Sequence, residues 1–279
     1  MRVFITGSKG QLGSAFVRHF QVNGWDHAAA DIDTLDIADG DAVMNAVMPY
    51  RPALIINCAA YNLVDKAETE ADKAFAVNAQ GPRNLALAAR KLEATLVHFG
   101  TDYVFDGAKG APYTEADKPN PLNIYGQSKL KGEDYALEAA GSLVLRLSWV
   151  FGQGAQNFIH KLKGWAANPG PLRISADEVS VPTYTLDIVT TTMAALERGL
   201  TGTWNMTNTG YCSRYDWARL VLREYGIDKE ILPARMADFD LPARRPGFSP
   251  MSNSAISKEL GLAIPGWEDS VRAFIKGNI

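Results

Sequence analysis

The chain has 279 residues, room for one large or two modest domains at about 150 residues each. Its composition, 47% hydrophobic, 21% charged and 10% aromatic, excludes disorder, collagen-like repeats and a disulfide scaffold. With 28 Lys and Arg against 31 Asp and Glu the net charge is −3, so no basic surplus draws the chain to nucleic acid or an anionic membrane.

The first apolar run in chain order is Arg2 to Thr6. It stops at Gly7, too soon for a signal peptide, and no later stretch approaches about 18 uninterrupted apolar residues. A soluble cytoplasmic protein is expected. Residues 11–23 show helical spacing, with Leu12, Ala15, Phe16, His19 and Phe20 on one side. Helical signals at 41–48 and 70–92 alternate with apolar runs at 54–58, 95–99 and 142–148. This alternation predicts βαβ units, hence an α/β fold with a doubly wound parallel sheet and helices on both faces. The run Leu54-Ile55-Ile56 fits a strand buried on both sides. Cys58 and Cys212 are the only cysteines, and outside a secretory context both are expected as free thiols.

Beyond Ser148 the pattern loosens. Helices are expected at 157–165, 185–198 and 215–225, the last behind Ser213 and Asp216 in capping-box spacing. Pro- and Gly-rich clusters at 168–171 and 243–247 mark loops. This half is expected to be a smaller portion closing over an edge of the sheet.

Between the first strand and first helix stands Gly7-Ser8-Lys9-Gly10-Gln11-Leu12-Gly13. Glycines there permit a tight turn and close backbone approach, so that free amides at the helix start can hold a pyrophosphate. The spacing is G-x-x-G-x-x-G, and its place after a strand and before a helix favours a dinucleotide loop over plain turn punctuation. Residues 1–150 are therefore expected to form a Rossmann-like dinucleotide-binding domain. Residues 151–279 would be mainly substrate-binding, with some elements returning to the first domain. Asp31, about 20 residues past the loop, is a candidate acceptor for the adenosine ribose and would repel a 2′-phosphate. Lys9 pulls the other way, and Asp31 reads equally as a solvated turn acid beside Asp33, Asp36 and Asp39. NADPH and NADH both stay open.

Tyr125-Gly126-Gln127-Ser128-Lys129 sets a phenol and an ammonium four residues apart, on one face of a helix if one begins here. A free phenol titrates near 10, and a neighbouring Lys⁺ is expected to draw it toward the working range, where it can protonate a carbonyl oxygen. Alone, such a pair is common by chance. Thr101 follows the apolar run at 95–99, where a hydroxyl at the carboxyl end of a parallel strand faces the ligand crevice. By itself it reads as a local Ser/Thr turn. Together with Tyr125, Lys129 and the glycine loop it forms a constellation hard to obtain by accident.

These motifs resemble the extended short-chain dehydrogenase/reductases, and within them the dTDP-4-dehydrorhamnose reductase family. The resemblance covers essentially the whole chain. It rests on the glycine loop, Asn57-Cys58-Ala59-Ala60-Tyr61, Val64-Asp65-Lys66-Ala67-Glu68, Thr101-Asp102-Tyr103-Val104-Phe105, Pro121-Leu122-Asn123-Ile124-Tyr125-Gly126 and Lys129. Arg146-Leu147-Ser148-Trp149-Val150-Phe151 and Arg245-Pro246-Gly247-Phe248-Ser249 fit as well. The resemblance implies reduction of the 4-keto group of dTDP-4-dehydrorhamnose to dTDP-L-rhamnose with NADPH or NADH. Gly7, Gly10, Gln11, Leu12, Gly13, Asp31, Asp36, Ile37, Ala59, Ala60, Tyr61 and Asn62 would bind the cofactor, with Tyr125 and Lys129. Thr101, Tyr125 and Lys129 would be catalytic. Thr101, Asp102 and Trp149 would touch the sugar, and Arg245 would approach the charged half of the substrate; Trp149 reads equally as a core aromatic, and Arg245 as a solvated turn residue beside Arg244.

Four departures stand out. Gly100 occupies a place where serine is common, and Asp177-Glu178-Val179-Ser180-Val181-Pro182-Thr183 replaces Asp-Gln-x-Gly-x-Pro-Thr. Pro250-Met251 departs from a basic-plus-leucine continuation. Ala15 and Leu186 stand where magnesium-binding dimeric members carry glutamates, so no metal is expected and the chain would be a monomer or homodimer. The alternatives are a reductase of another nucleotide-linked 4-keto-6-deoxy sugar, a nucleotide-sugar epimerase, or a non-catalytic subunit like that regulating methionine adenosyltransferase.

Overall fold

The computed structural model describes residues 1–154 and 156–277. Strand β1 (Val3–Thr6) leads into helix α1 (Gln11–Val22), then β2 (His27–Ala30), α2 (Gly40–Tyr50) and β3 (Leu54–Asn57). Helices α3 (Val64–Ala67), α4 (Ala71–Phe75) and α5 (Gly81–Leu92) follow, the last two joined by a π-helical turn at Ala76–Gln80. Next come β4 (Thr95–Thr101), α6 (Ile124–Ala136), β5 (Leu143–Leu147), β6 (Val150–Phe151) and α7 (Phe158–Ala166). The chain continues through β7 (Leu172–Ser175), β8 (Val179–Ser180), β9 (Thr183–Tyr184), α8 (Thr185–Glu197) and β10 (Gly202–Asn205). It ends with β11 (Cys212–Ser213), α9 (Arg214–Glu224), β12 (Ile231–Ala234), α10 (Ser254–Leu260) and α11 (Trp267–Lys276).

Six strands form one parallel sheet in the order β10-β5-β4-β3-β1-β2. Successive side chains in a strand point to opposite faces, and this splits the core in two. Val3, Ile5, Leu54, Ile56, Val97 and Phe99 pack with Phe16 and Phe20 of α1 and Ile188 of α8. Phe4, Ile55, Leu96 and Val144 face Val43 and Val47 of α2 and Leu85 and Ala88 of α5. The doubly wound sheet expected from the apolar runs is present, covered on both sides. Its strand order reverses at β1, so the crevice at the carboxyl ends of β1 and β3 is the ligand position for such a sheet.

β10 lies beside β5 in this sheet although it follows residue 150, and α8 packs on α1. A third cluster, with Trp149, Phe151, Trp217, Trp267 and Phe274, builds the smaller portion beyond. There Ser213 caps α9 as its spacing with Asp216 predicts, accepting the Asp216 N–H at 3.0 Å. Both cysteines are free. Among the described residues no helix is long and apolar enough to cross a membrane.

Candidate active site

The crevice is real: a cavity of about 420 Å³ lined by Gly7, Lys9, Gly10, Asp31, Asp36, Ile37 and the Cys58-Ala59-Ala60-Tyr61-Asn62 segment. Gly7 has φ +64°, and a Cβ there would sit 2.5 Å from the Ala59 nitrogen. A Cβ on Gly13 would lie 2.1 Å from the Gly7 carbonyl oxygen, so neither position admits a side chain. No side chain caps α1 at Gly10, which leaves the helix-start amides for an anion. These residues fit a dinucleotide pyrophosphate. Of the remaining loop residues, Leu12 packs into the core and Gln11 lines a separate, small cavity of about 90 Å³ with Ala15, Arg18 and Leu186.

The opposite wall is held by amide side chains. Asn57 accepts from Thr6 Oγ1 at 2.7 Å and from the Ala59 N–H at 3.1 Å, which fixes the chain leaving β3. Asn78, within the π-turn, accepts the Tyr61 N–H and donates to the Tyr61 carbonyl and to Ser128 Oγ. The helix expected at 70–92 is thus interrupted where its side chains serve the crevice, a common use of π-turns.

Thr101, Tyr125 and Lys129 come together beneath these loops. Asn123 caps α6 through the Gly126 N–H at 2.7 Å. A Cβ on Gly126 would meet the Tyr103 carbonyl at 2.3 Å, so this glycine lets α6 close on the turn after β4. Tyr125 is thereby set beside Thr101, whose Oγ1 donates to Asp102 Oδ1 at 3.3 Å and takes the Tyr103 N–H at 3.2 Å. Its ring packs in the cluster of Tyr61 on one side and meets Tyr103 edge-on at 5.8 Å on the other. The Tyr103 hydroxyl donates to Glu178, on the wall of a second cavity. The trio therefore lies between the two cavities, which also share Gln156.

One expectation is corrected. Tyr125 is not drawn down by Lys129 but pushed up to about 12, by burial first; the Thr101 hydroxyl opposes the shift and Asp102 adds to it. The Lys129 ammonium instead donates to the Phe99 carbonyl at 2.6 Å. Burial pulls Lys129 down to about 8, with Glu133, one helical turn along, working against the fall.

The second cavity, about 470 Å³, combines Trp149, Phe158, Trp165, Trp217 and Phe239 with Lys161, Arg173, Arg214 and Arg245. Aromatic faces beside guanidinium groups suit a base and its phosphates. Trp149 belongs both to this wall and to the core: it stacks on Trp217 at 5.7 Å, and its φ of +37° is a strained conformation for a tryptophan. Arg214 carries no sequence signal, yet its guanidinium lies 3.6 Å over the Trp149 ring and 3.3 Å from Glu178. Arg245 lines the wall but its guanidinium is bidentate to Asp65 at 2.7 and 2.9 Å; Arg244 is exposed. Asp102 lines neither cavity. It is 2% exposed, and its carboxylate takes the hydroxyls of Ser180 and Ser249 at 2.7 and 2.6 Å while burial holds it up at about 6. A larger cavity between α9 and α11, about 610 Å³, holds neither the glycine loop nor the trio and is no candidate for this chemistry.

A family model described as the RmlD substrate binding domain matches residues 1–278. The chain belongs to this family. It is 36% identical to a dTDP-4-dehydrorhamnose reductase of Mycolicibacterium smegmatis, over 97% of this chain and 84% of that protein. It is equally 36% identical to a probable dTDP-4,6-dihydroxy-2-methyloxan-3-one 4-ketoreductase of Streptomyces antibioticus, over 98% and 94%. The crystal structure of a Bacillus anthracis dTDP-4-dehydrorhamnose reductase in complex with NADP superposes with a TM-score of 0.95 at 33% identity, covering 99% of each chain.

Proposed function

We propose that the protein reduces the 4-keto group of dTDP-4-dehydrorhamnose to dTDP-L-rhamnose, using NADPH or NADH. The observation that carries this reading is the adjacency of Thr101 and Tyr125, with buried Lys129, between a glycine-cradled crevice and an aromatic, cationic cavity. The reduced nicotinamide supplies a hydride to the carbonyl carbon. Tyr125 is protonated at neutral pH and gives its phenolic proton to the carbonyl oxygen as negative charge develops there. Thr101 orients that oxygen and the phenol by hydrogen bonding. Lys129, fixed by its bond to the Phe99 carbonyl, would hold a ribose hydroxyl.

The direct test mixes the protein with enzymatically made dTDP-4-dehydrorhamnose and each reduced cofactor, following loss of the reduced-nicotinamide absorbance and analysing the product sugar. Substrate-dependent oxidation to dTDP-L-rhamnose is expected. Folded, dinucleotide-binding protein that oxidises neither cofactor would transfer the assignment to another 4-keto sugar, a reading favoured by Glu178 and Ser180 in the segment at 177–183.

The pH profile tests Lys129. Its ammonium is charged below about 8 and neutral above, so kcat/KM is expected to fall as pH rises through about 8. A profile level from about pH 6 to about pH 10 would remove the charged lysine from the mechanism.

A further inference from the structure

We propose that the adenosine-ribose corner of the crevice selects NADH over NADPH, through Asp31 and Asp33. This rests on the dinucleotide reading of the crevice above and decides between cofactors that the sequence leaves open. Asp31 leaves β2 beside the glycine loop, where the Ser8 N–H donates to the Ala30 carbonyl at 3.1 Å. Its Oδ2 accepts the Lys9 N–H at 2.7 Å and its Oδ1 the Ile32 N–H at 2.8 Å. Its carbonyl takes the amides of Thr34 and Leu35, both at 2.8 Å, which closes the turn. The carboxylate is thus pre-oriented on the crevice wall, with a lone pair on each oxygen left for ribose hydroxyls.

Lys9 is the cation that would have favoured a 2′-phosphate, and its ammonium is paired with Asp33. Both partners are more than half exposed, so the pair alone is weak. The charge balance decides instead. Asp31 and Asp33 both face Lys9 at this corner, and Asp36 lines the same wall. The other lysine of the cavity wall, Lys73, pairs with Glu70 and lies over the Tyr61 ring. A phosphomonoester brings a charge of about −1.5 to −2 into that field. An unesterified ribose brings none and offers two donors to Asp31.

Equilibrium binding of NADH and of NADPH, each followed by tryptophan fluorescence and calorimetry without sugar substrate, tests this. NADH is expected to bind at least about tenfold tighter at low salt, with the gap narrowing as salt screens the repulsion. Asp33→Asn, which frees Lys9, is expected to raise NADPH affinity more than NADH affinity. Asp31→Asn, which keeps an acceptor for the turn, should weaken NADH and strengthen NADPH. Equal or tighter NADPH binding by the unaltered protein overturns the proposal, as does an NADH preference that neither substitution reduces. Binding of neither dinucleotide would instead sink the reading of the crevice itself.

Discussion

Tyr125→Phe is expected to lower kcat about 10²- to 10⁴-fold while leaving dinucleotide affinity essentially unchanged. The ring's contacts do not need the hydroxyl: it packs in the Tyr61 cluster and meets Tyr103 edge-on, and both survive in phenylalanine. What disappears is the phenolic proton beside Thr101. The replacement also relieves a desolvated phenol, so a loss of stability is not expected to account for the loss of rate. Steady-state turnover and cofactor titration on the same preparation separate the two effects. Activity within about threefold of the unaltered protein would mean another group delivers the proton. Loss of cofactor binding would mean that Tyr125 holds the dinucleotide rather than the reacting oxygen.

What the sequence made legible follows local physics. Four-residue apolar strands buried on both faces, glycines at a strand-to-helix turn and a Ser/Asp helix cap each act within a few neighbours, and all can be read from spacing. β10 was not legible: Gly-Thr-Trp-Asn has no apolar run, and only pairing with β5 makes it a strand. Long-range pairing hid the rest of the site as well. Asp65 and Arg245 belong to two separate motifs, and nothing in either shows that they grip each other across 180 residues of chain. Arg214 matters because of Trp149 and Glu178, which reach it from distant segments. The direction of the Lys129 side chain likewise depends on the Phe99 carbonyl of a neighbouring strand, and helical spacing alone wrongly aimed its charge at the phenol.

Arg146→Met is expected to destabilise the fold by about 3–5 kcal/mol. Arg146 on β5 donates through Nε and an Nη to one oxygen of Glu133 on α6, at 3.0 and 2.8 Å, and the two side chains are 7% and 2% exposed. Removing the guanidinium leaves a buried carboxylate with no close cation but Lys129. The other Glu133 oxygen, Oε1, already has no hydrogen-bond partner among the described residues, and a Cβ on Gly100 would come within 2.1 Å of it. The glycine at position 100 therefore makes room for this carboxylate. Urea denaturation of the variant measures the cost, and a loss under about 1 kcal/mol would show that the pair is solvated in solution. The double variant Glu133→Leu with Arg146→Met is the informative control. Replacing both charges by apolar groups is expected to return stability to within about 1 kcal/mol, because no buried charge is left unpaired. Its activity should not return with it. Glu133 is the main group that opposes the desolvation of Lys129, so without it the lysine loses its proton at lower pH. The falling limb of the rate profile should then move below about 8, separating what the carboxylate does for the fold from what it does for the reaction.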